Sequence, residues 1–401
     1  MRSRPKLGRR AFGRPGKLVL VAVAFASPAV VAGGAGAETF TVACEGSGGG
    51  GAGLAEAITQ ANATPGADTI DLVPGCAYVL TAAASPDTGL PVVTGQLAIQ
   101  GHGATIRRSG SAPRFRILEV AAGGELSLDE VTVSDGVVSL SGPSALGGGI
   151  LNSGVLTVTD STIRDNEVRG SGSSAAGGGI ANNGTVTLRD TVLRDNRASA
   201  AGTSFSVAVG GAVLNRTGAT MIIEGSRIAG NRAVSRSENG PSFIAAAGGI
   251  ASTGTLSVRD TRIVGNRVVA VGPGGQANGG GMSVADGTVS VNGGELQGNT
   301  AVARGEGAVA RGGGLENAGE TILSGVAVRA NRASGPLAQG GGIFNRARSL
   351  TIVDGAVTDN VASAAPGQGG GIFVVGGAVE LRSTRVFANR PDDCDPALPG
   401  C

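Results

Sequence analysis

Between residues 147 and 390 the apolar positions keep fixed distances from a recurring asparagine: Asn166, Asn196, Asn231, Asn266, Asn299, Asn331, Asn360 and Asn389. Three residues before each stand Ile163, Leu193, Ile228, Ile263, Leu296, Val328, Val357 and Val386. Eight residues before each stand Val158, Leu188, Ile223, Val258, Val291, Leu323, Ile352 and Leu381. Ten residues before, the position is again apolar, with Thr321 as the exception. A spacing of two puts side chains on one face of a strand, and the residue between them is usually Thr, Ser or Val. The pattern therefore predicts half-buried strands. Helical spacing of three and four is not sustained, and the 73 glycines disfavour helix further. The copies recur every 29 to 35 residues, which signals a repeat architecture.

A second apolar mark follows a glycine run in each copy: Ile150, Ile180, Val213, Ile250, Met282, Leu315, Ile343 and Ile372. From this mark to its Asn the distance is 16 to 18 residues, whereas from each Asn to the next mark it ranges from 12 to 19. Most length variation thus collects in one connection, and insertions should emerge on one side. Three short strands, two fixed corners and one variable corner per period predict an all-β, right-handed parallel β-helix: a single-stranded solenoid of the pectin-lyase-like kind. About ten coils at a strand spacing of about 4.8 Å would make a rod on the order of 50 Å long. The Asn row is expected to be a structural corner ladder, because Asn tolerates left-handed backbone angles and its amide bonds neighbouring groups. The Gly runs are expected where the variable section re-enters the sheet by a close approach or a positive φ.

The ends break this pattern. Residues 1–37 carry Arg2, Arg4, Lys6, Arg9, Arg10, Arg14 and Lys17 ahead of the apolar run Leu18 to Val31, and then Ala35-Gly36-Ala37. They read as an export signal cleaved after Ala37, by general secretion or, given Arg9-Arg10-Ala11-Phe12, by the twin-arginine route. Signal removal would leave a chain that is not an integral membrane protein, with 25 basic and 30 acidic residues. This net negative balance removes the main electrostatic support for nucleic-acid binding. Thr39 to Val42 suits a strand, and Leu54 to Asn62 an amphipathic helix over the open end of the first coil. The expected organisation is a cap over 38–80, the β-helix over 81–391 with regular repeats from about 147 to 390, and a C-terminal cap over 392–401.

Leu54 to Ile58, Ala61-Asn62, Pro65 to Ile70, Pro74-Gly75 and Tyr78 to Thr81 resemble the N-terminal CSLREA domain of bacterial secreted β-helix proteins. Leu90 to Ile99 and Gly103 to Ile106 are similar to it too, although Ala52, Gly53 and Ala55 stand where that family has Cys, Ser and Arg. Gly210-Gly211-Ala212-Val213 and the Asn-terminated repeats resemble those of polymorphic outer-membrane proteins, with Ile, Leu or Val in place of their Phe. These resemblances imply a bacterial, exported β-helix. No membrane barrel follows the repeats, so an autotransporter is not expected. Without a lipid-attachment Cys or sorting tail, retention at a surface is expected to need a partner.

Cys44 and Cys76 lie near one end and Cys394 and Cys401 near the other, which predicts two local disulfides. His102 in Gly101-His102-Gly103 is the only histidine and is expected to be a solvated turn residue. The acidic candidates are Asp165 with Asp195, one residue before consecutive Asn corners, and Asp160 with Asp190, six before. Paired carboxylates one coil apart can serve as acid and nucleophile or hold a cation such as calcium; corner caps and salt bridges are the structural alternative. No cofactor is expected. With no Trp and one Tyr, aromatic platforms for a glycan groove are scarce; Phe205 and Phe243, in the two longest variable sections, are the candidate exposed contacts. The expected function is a secreted, adhesin-like surface or matrix component that binds a glycan or protein partner through its variable loops. The alternative is an extracellular polysaccharide lyase or glycoside hydrolase using carboxylates on the rod.

Overall fold

The computed structural model describes residues 36–45, 50–140, 144–203, 205–237, 242–346, 348–364 and 367–401. The expected export signal lies, up to residue 35, outside the described residues. The described chain is an all-β parallel solenoid with one α-helix, Gly50–Ala63. Sheets of 12, 11 and 10 strands enclose the main core as a three-sided prism, and two further sheets of eight strands stand beside it.

One coil shows the design. Thr255–Arg259 lies in the 12-stranded sheet with Leu256 and Val258 buried, and Arg262–Val264 lies in the 11-stranded sheet with Ile263 buried. After Asn266 the chain leaves the prism as Arg267–Val271, turns, and returns as Gln276–Asn278. A glycine corner then leads to Met282–Val284 in the 10-stranded sheet. Each regular coil therefore has five strands, not three. The section expected to be a variable loop is two extra strands, and stacking them coil on coil builds a fin along the prism. Length varies with the length of the fin strands and their turns: Arg197–Gly202 and Arg232–Ser237 are six residues long, Arg332–Ser334 three.

The fin closes because its inward positions are small. Ala198, Ala200, Ala233 and Ala270 of the outgoing strands face Ala175, Ala208, Ala245 and Ala277 of the returning ones, all buried. Ser206 and Ser235 hydrogen-bond across the same interior. Cα atoms on Phe205–Val209 and Arg232–Ser237 come within 8 Å of each other, closer than the ~10 Å of ordinary stacked sheets.

The neck explains the glycine runs. A Cβ on Gly248 would lie 2.3 Å from the Arg267 backbone nitrogen, and one on Gly249 would lie 2.5 Å from the Gly281 carbonyl oxygen. Outgoing and returning chains converge here too closely for a side chain.

At the N-terminal end, Thr39–Val42 pairs with Ala67–Leu72 and Ala77–Leu80 pairs with Thr105–Arg108, so the segment 38–80 already contributes strands to the solenoid. The helix packs on these end strands through Leu54, Ala57, Ile58 and Ala61. It begins four residues before Leu54. Gly51 makes that possible, since a Cβ there would lie 2.4 Å from the Val79 carbonyl oxygen. Tyr78 Oη donates to the Val42 carbonyl at 2.7 Å and accepts from the Val73 N–H at 3.0 Å. Burial is the main cause that raises its pKa above the ordinary value. Disulfides join Cys44 to Cys76 and Cys394 to Cys401, with Cα atoms 5.6 and 6.2 Å apart. Cys394–Asp395 itself adds a strand to the 10-stranded sheet, so the C-terminal segment is partly solenoid as well.

Candidate functional site

The asparagines form a continuous internal ladder. Asn231 Nδ2 donates to Asn266 Oδ1 at 3.0 Å, and Asn266 Nδ2 donates to Asn299 Oδ1 at 3.1 Å and to the Ile228 carbonyl at 2.8 Å. The same bonds link Asn166, Asn196, Asn331, Asn360 and Asn389, and the row finishes on Asp393 Oδ1, 2.8 Å from Asn389 Nδ2. Asn166 to Asn360 are fully buried, so their amides are spent inside the fold. A second, interrupted ladder follows the glycine corners through Asn152, Asn182, Asn215 and Ser252, and again through Asn317 and Asn345. Its signal is the recurring Ile/Leu/Val-x-Asn after the glycines, with Ser252 in one copy and a break at Val284.

The aspartates occupy two corner columns of left-handed backbone. Asp160, Asp190, Gly225, Asp260 and Gly293 share one slot, with φ of 47, 49, 58, 47 and 68°. Asp165, Asp195, Gly230, Gly265 and Gly298 share the other, with φ of 57, 57, 68, 62 and 61°. Asp and Gly alternate at one geometry, which identifies the requirement there as a tolerated αL conformation. Asp165 and Asp195 are on adjacent rungs, and each is held by its preceding arginine, Arg164 at 2.7 Å and Arg194 at 2.8 Å. His102 is half-exposed in the same kind of turn, φ 49°, with Nε2 2.8 Å from Asp71 Oδ1. Phe205 and Phe243 lie on fin strands, where Ser206 pairs with Phe243, and not in loops; the placement of their side chains lies outside the described residues.

A different surface is concave. The outward face of the returning fin strands and the outward face of the 10-stranded sheet enclose a groove of roughly 800 Å³. One half is apolar, with Leu146, Val207, Val209, Leu214 and Ile244. The other half is polar, built on Glu316, which is 1% exposed. Its carboxylate accepts from Ser283 Oγ at 2.6 Å and from Arg346 Nε at 2.7 Å. Beside it Arg311 lies 5.4 Å from the centroid of the Phe344 ring, which stacks on Phe373. Arg311 Nη1 donates to Gln276 Oε1 at 2.9 Å. Burial is the main cause that pulls its guanidinium below the ordinary value, with Glu316 opposing. Between the halves sits Asn278, 7% exposed, whose Oδ1 is buried without a hydrogen-bond partner. A buried, unpaired acceptor in a native groove is costly unless something donates to it.

None of these groove residues was singled out from the sequence. Their signal is the middle residue of each three-residue strand after the glycines: Leu214, Ala251, Ser283, Glu316 and Phe344 face outward while their neighbours face the core.

Fold and groove together define a parallel β-solenoid with a lateral groove. No family model matches this chain, no curated protein is similar to it, and no solved structure matches it. Among the described residues no helix is long and apolar enough to cross a membrane. Two disulfides are typical of chains that fold in an oxidising compartment.

Proposed function

We propose that the protein is an exported, non-catalytic surface or matrix component that binds an extended partner in the groove between fin and prism. The observation that carries this is the groove itself: apolar side chains along one half, a fixed Ser283–Glu316–Arg346 array in the other, and the unpaired Asn278 acceptor between them. The core does not need these outward residues, and Ile244 remains 37% exposed. A partner with an apolar face and a hydrogen-bond donor opposite Asn278 would satisfy both halves. The reading as an exported bacterial protein rests on the basic and apolar N-terminal segment, the disulfides and the CSLREA-like pattern.

Hydrolysis by paired carboxylates needs two acids flanking one bond. The groove lining presents one, Glu316, already held by Ser283 and Arg346. The test is binding of the purified protein to cells, matrix and a glycan array, comparing wild type with Ile244→Glu and Asn278→Ala. Both substitutions are expected to lower binding at least about tenfold without lowering the melting temperature appreciably. Undiminished binding in both would overturn the groove as the contact surface, and product release in a parallel depolymerisation screen would overturn the non-catalytic reading.

A further inference from the structure

Among the described residues, the outgoing strands on the opposite face of the fin carry an unbalanced positive charge. On the outgoing strands the register aligns Glu167, Arg197, Arg232, Arg267, Thr300 and Arg332 in one outward row. Four residues further along the same strands, and on the same face, stand Arg236 and Arg304. Glu167 is the one acid in the row, and Arg169 at 2.6 Å and Arg197 at 3.4 Å already hold it. Arg232, Arg236, Arg267 and Arg304 form no ion pair with any described residue. Arg232 and Arg267 also leave a buried Nε without a hydrogen-bond partner.

Between the two arginine rows lie Val234, Val269 and Val302, buried although they point outward. The long stems of the flanking arginines are the side chains placed to cover them, which keeps the guanidinium heads close together. Burial first, and then Arg197, Arg267, Arg236 and Arg304, push the Arg232 guanidinium below its ordinary value. Like charges held this close, without an ion pair to any described residue, favour an external counter-charge.

We propose that this face binds a linear acidic polysaccharide laid along the solenoid axis, with its carboxylate or sulfate groups seated on Arg232, Arg236, Arg267 and Arg304. A planar guanidinium matches such groups with two parallel hydrogen bonds. Arg232 and Arg267 stand on adjacent rungs about 4.8 Å apart, and Arg236 and Arg304 two rungs apart with Val271 between them. One rung is close to the length of one pyranose unit, so an extended glycan can bring its anionic groups to successive or alternate rungs. Single-stranded nucleic acid would want aromatic stacking platforms, and the described side chains of this face supply none. An anionic membrane would want exposed apolar side chains to insert, and these valines are covered.

This proposal is independent of the groove. It is tested with the full purified chain against polygalacturonate and heparin, with duplex DNA and phosphatidylserine vesicles as competitors. Glycan binding is expected at low salt and should fall steeply as salt rises. Arg232→Gln with Arg267→Gln should weaken it at least about tenfold, and so should the more exposed pair Arg236→Gln with Arg304→Gln, which keeps the test valid if the first pair disturbs folding. Arg259→Gln with Arg329→Gln removes equal charge from other sheets and should change binding less than about twofold. Ile244→Glu in the groove should leave it unchanged. No binding to either glycan, equal loss in the control pair, or stronger binding to DNA or vesicles than to both glycans would each overturn the proposal.

Discussion

The prism and the fin are stacked by the same coil-on-coil parallel pairing but are filled with different side chains. In the prism, Ile263, Leu256, Val258 and Met282 of one coil meet their equivalents above and below, and each is at most 1% exposed. In the fin the corresponding interior is almost wholly alanine, with Val138, Val168 and Val268 as the larger members. An alanine methyl buries little area, so the fin gains little from the hydrophobic effect and depends on the neck and on register inherited from the prism. The lesson is a division of labour. Bulky side chains specify where the coils stack, and small ones let a second pair of sheets close beside them and present surface on both sides.

The largest effect should come from breaking the prism. Ile263→Ala removes a fully buried side chain and is expected to cost about 2–5 kcal/mol. In denaturant melts the loss should appear throughout the regular coils, since stacking neighbours share their stability. A smaller and local effect is expected in the fin. Ala208→Leu overfills a space that holds one methyl between two sheets and should cost about 1–3 kcal/mol. Hydrogen exchange should then speed up along Phe205–Val209 and Arg232–Ser237 while Thr220–Glu224 in the prism keeps its protection. Equal loss of protection in prism and fin would show that the two are one cooperative unit and break the comparison.

Buried polar groups sharpen it at the capped end. Tyr78 bridges Val42 and Val73, and Tyr78→Phe should cost about 1 kcal/mol. Its folded pKa is raised above that of the unfolded chain, so its contribution is complete below an unfolded value of about 10 and is lost as pH rises through the folded value. Wild type should therefore lose stability above about pH 10, whereas Tyr78→Phe should lose less. Parallel alkaline melting curves would remove Tyr78 as the cause.

This contrast also explains what the sequence could disclose. Strands such as Thr255–Arg259 and Arg262–Val264 are legible because a large apolar residue alternates with a polar one, and the Asn row marks the corner that follows. Arg197–Gly202 and Phe205–Val209 are not legible in that way. In Arg197–Gly202 alanine, serine and glycine follow one another without apolar contrast, and in Phe205–Val209 the large residues are Phe205, Val207 and Val209 while small Ser206 and Ala208 face the interior, the reverse of a prism strand. The groove was hidden for the same reason: half of its wall is a fin sheet. Glu316, in a strand with no polar neighbour except the buried Asn317, is recognisable only once its middle position is known to face outward.

The smallest expected effect bears on function. Asp165 shares its slot with Gly230, Gly265 and Gly298, and all take a positive φ. If conformation is the requirement at that corner, Asp165→Gly should change stability by no more than about 1 kcal/mol, because glycine adopts αL freely and the ion pair it loses, with Arg164, is half-exposed. Asp165→Val, with a β-branched side chain forced into αL, should cost about 1–2 kcal/mol. Calorimetry on the pair reads the difference directly. A glycine variant as damaged as the valine one would mean that the carboxylate itself matters, which would return the paired aspartates to consideration as a chemical site beside the groove and the fin.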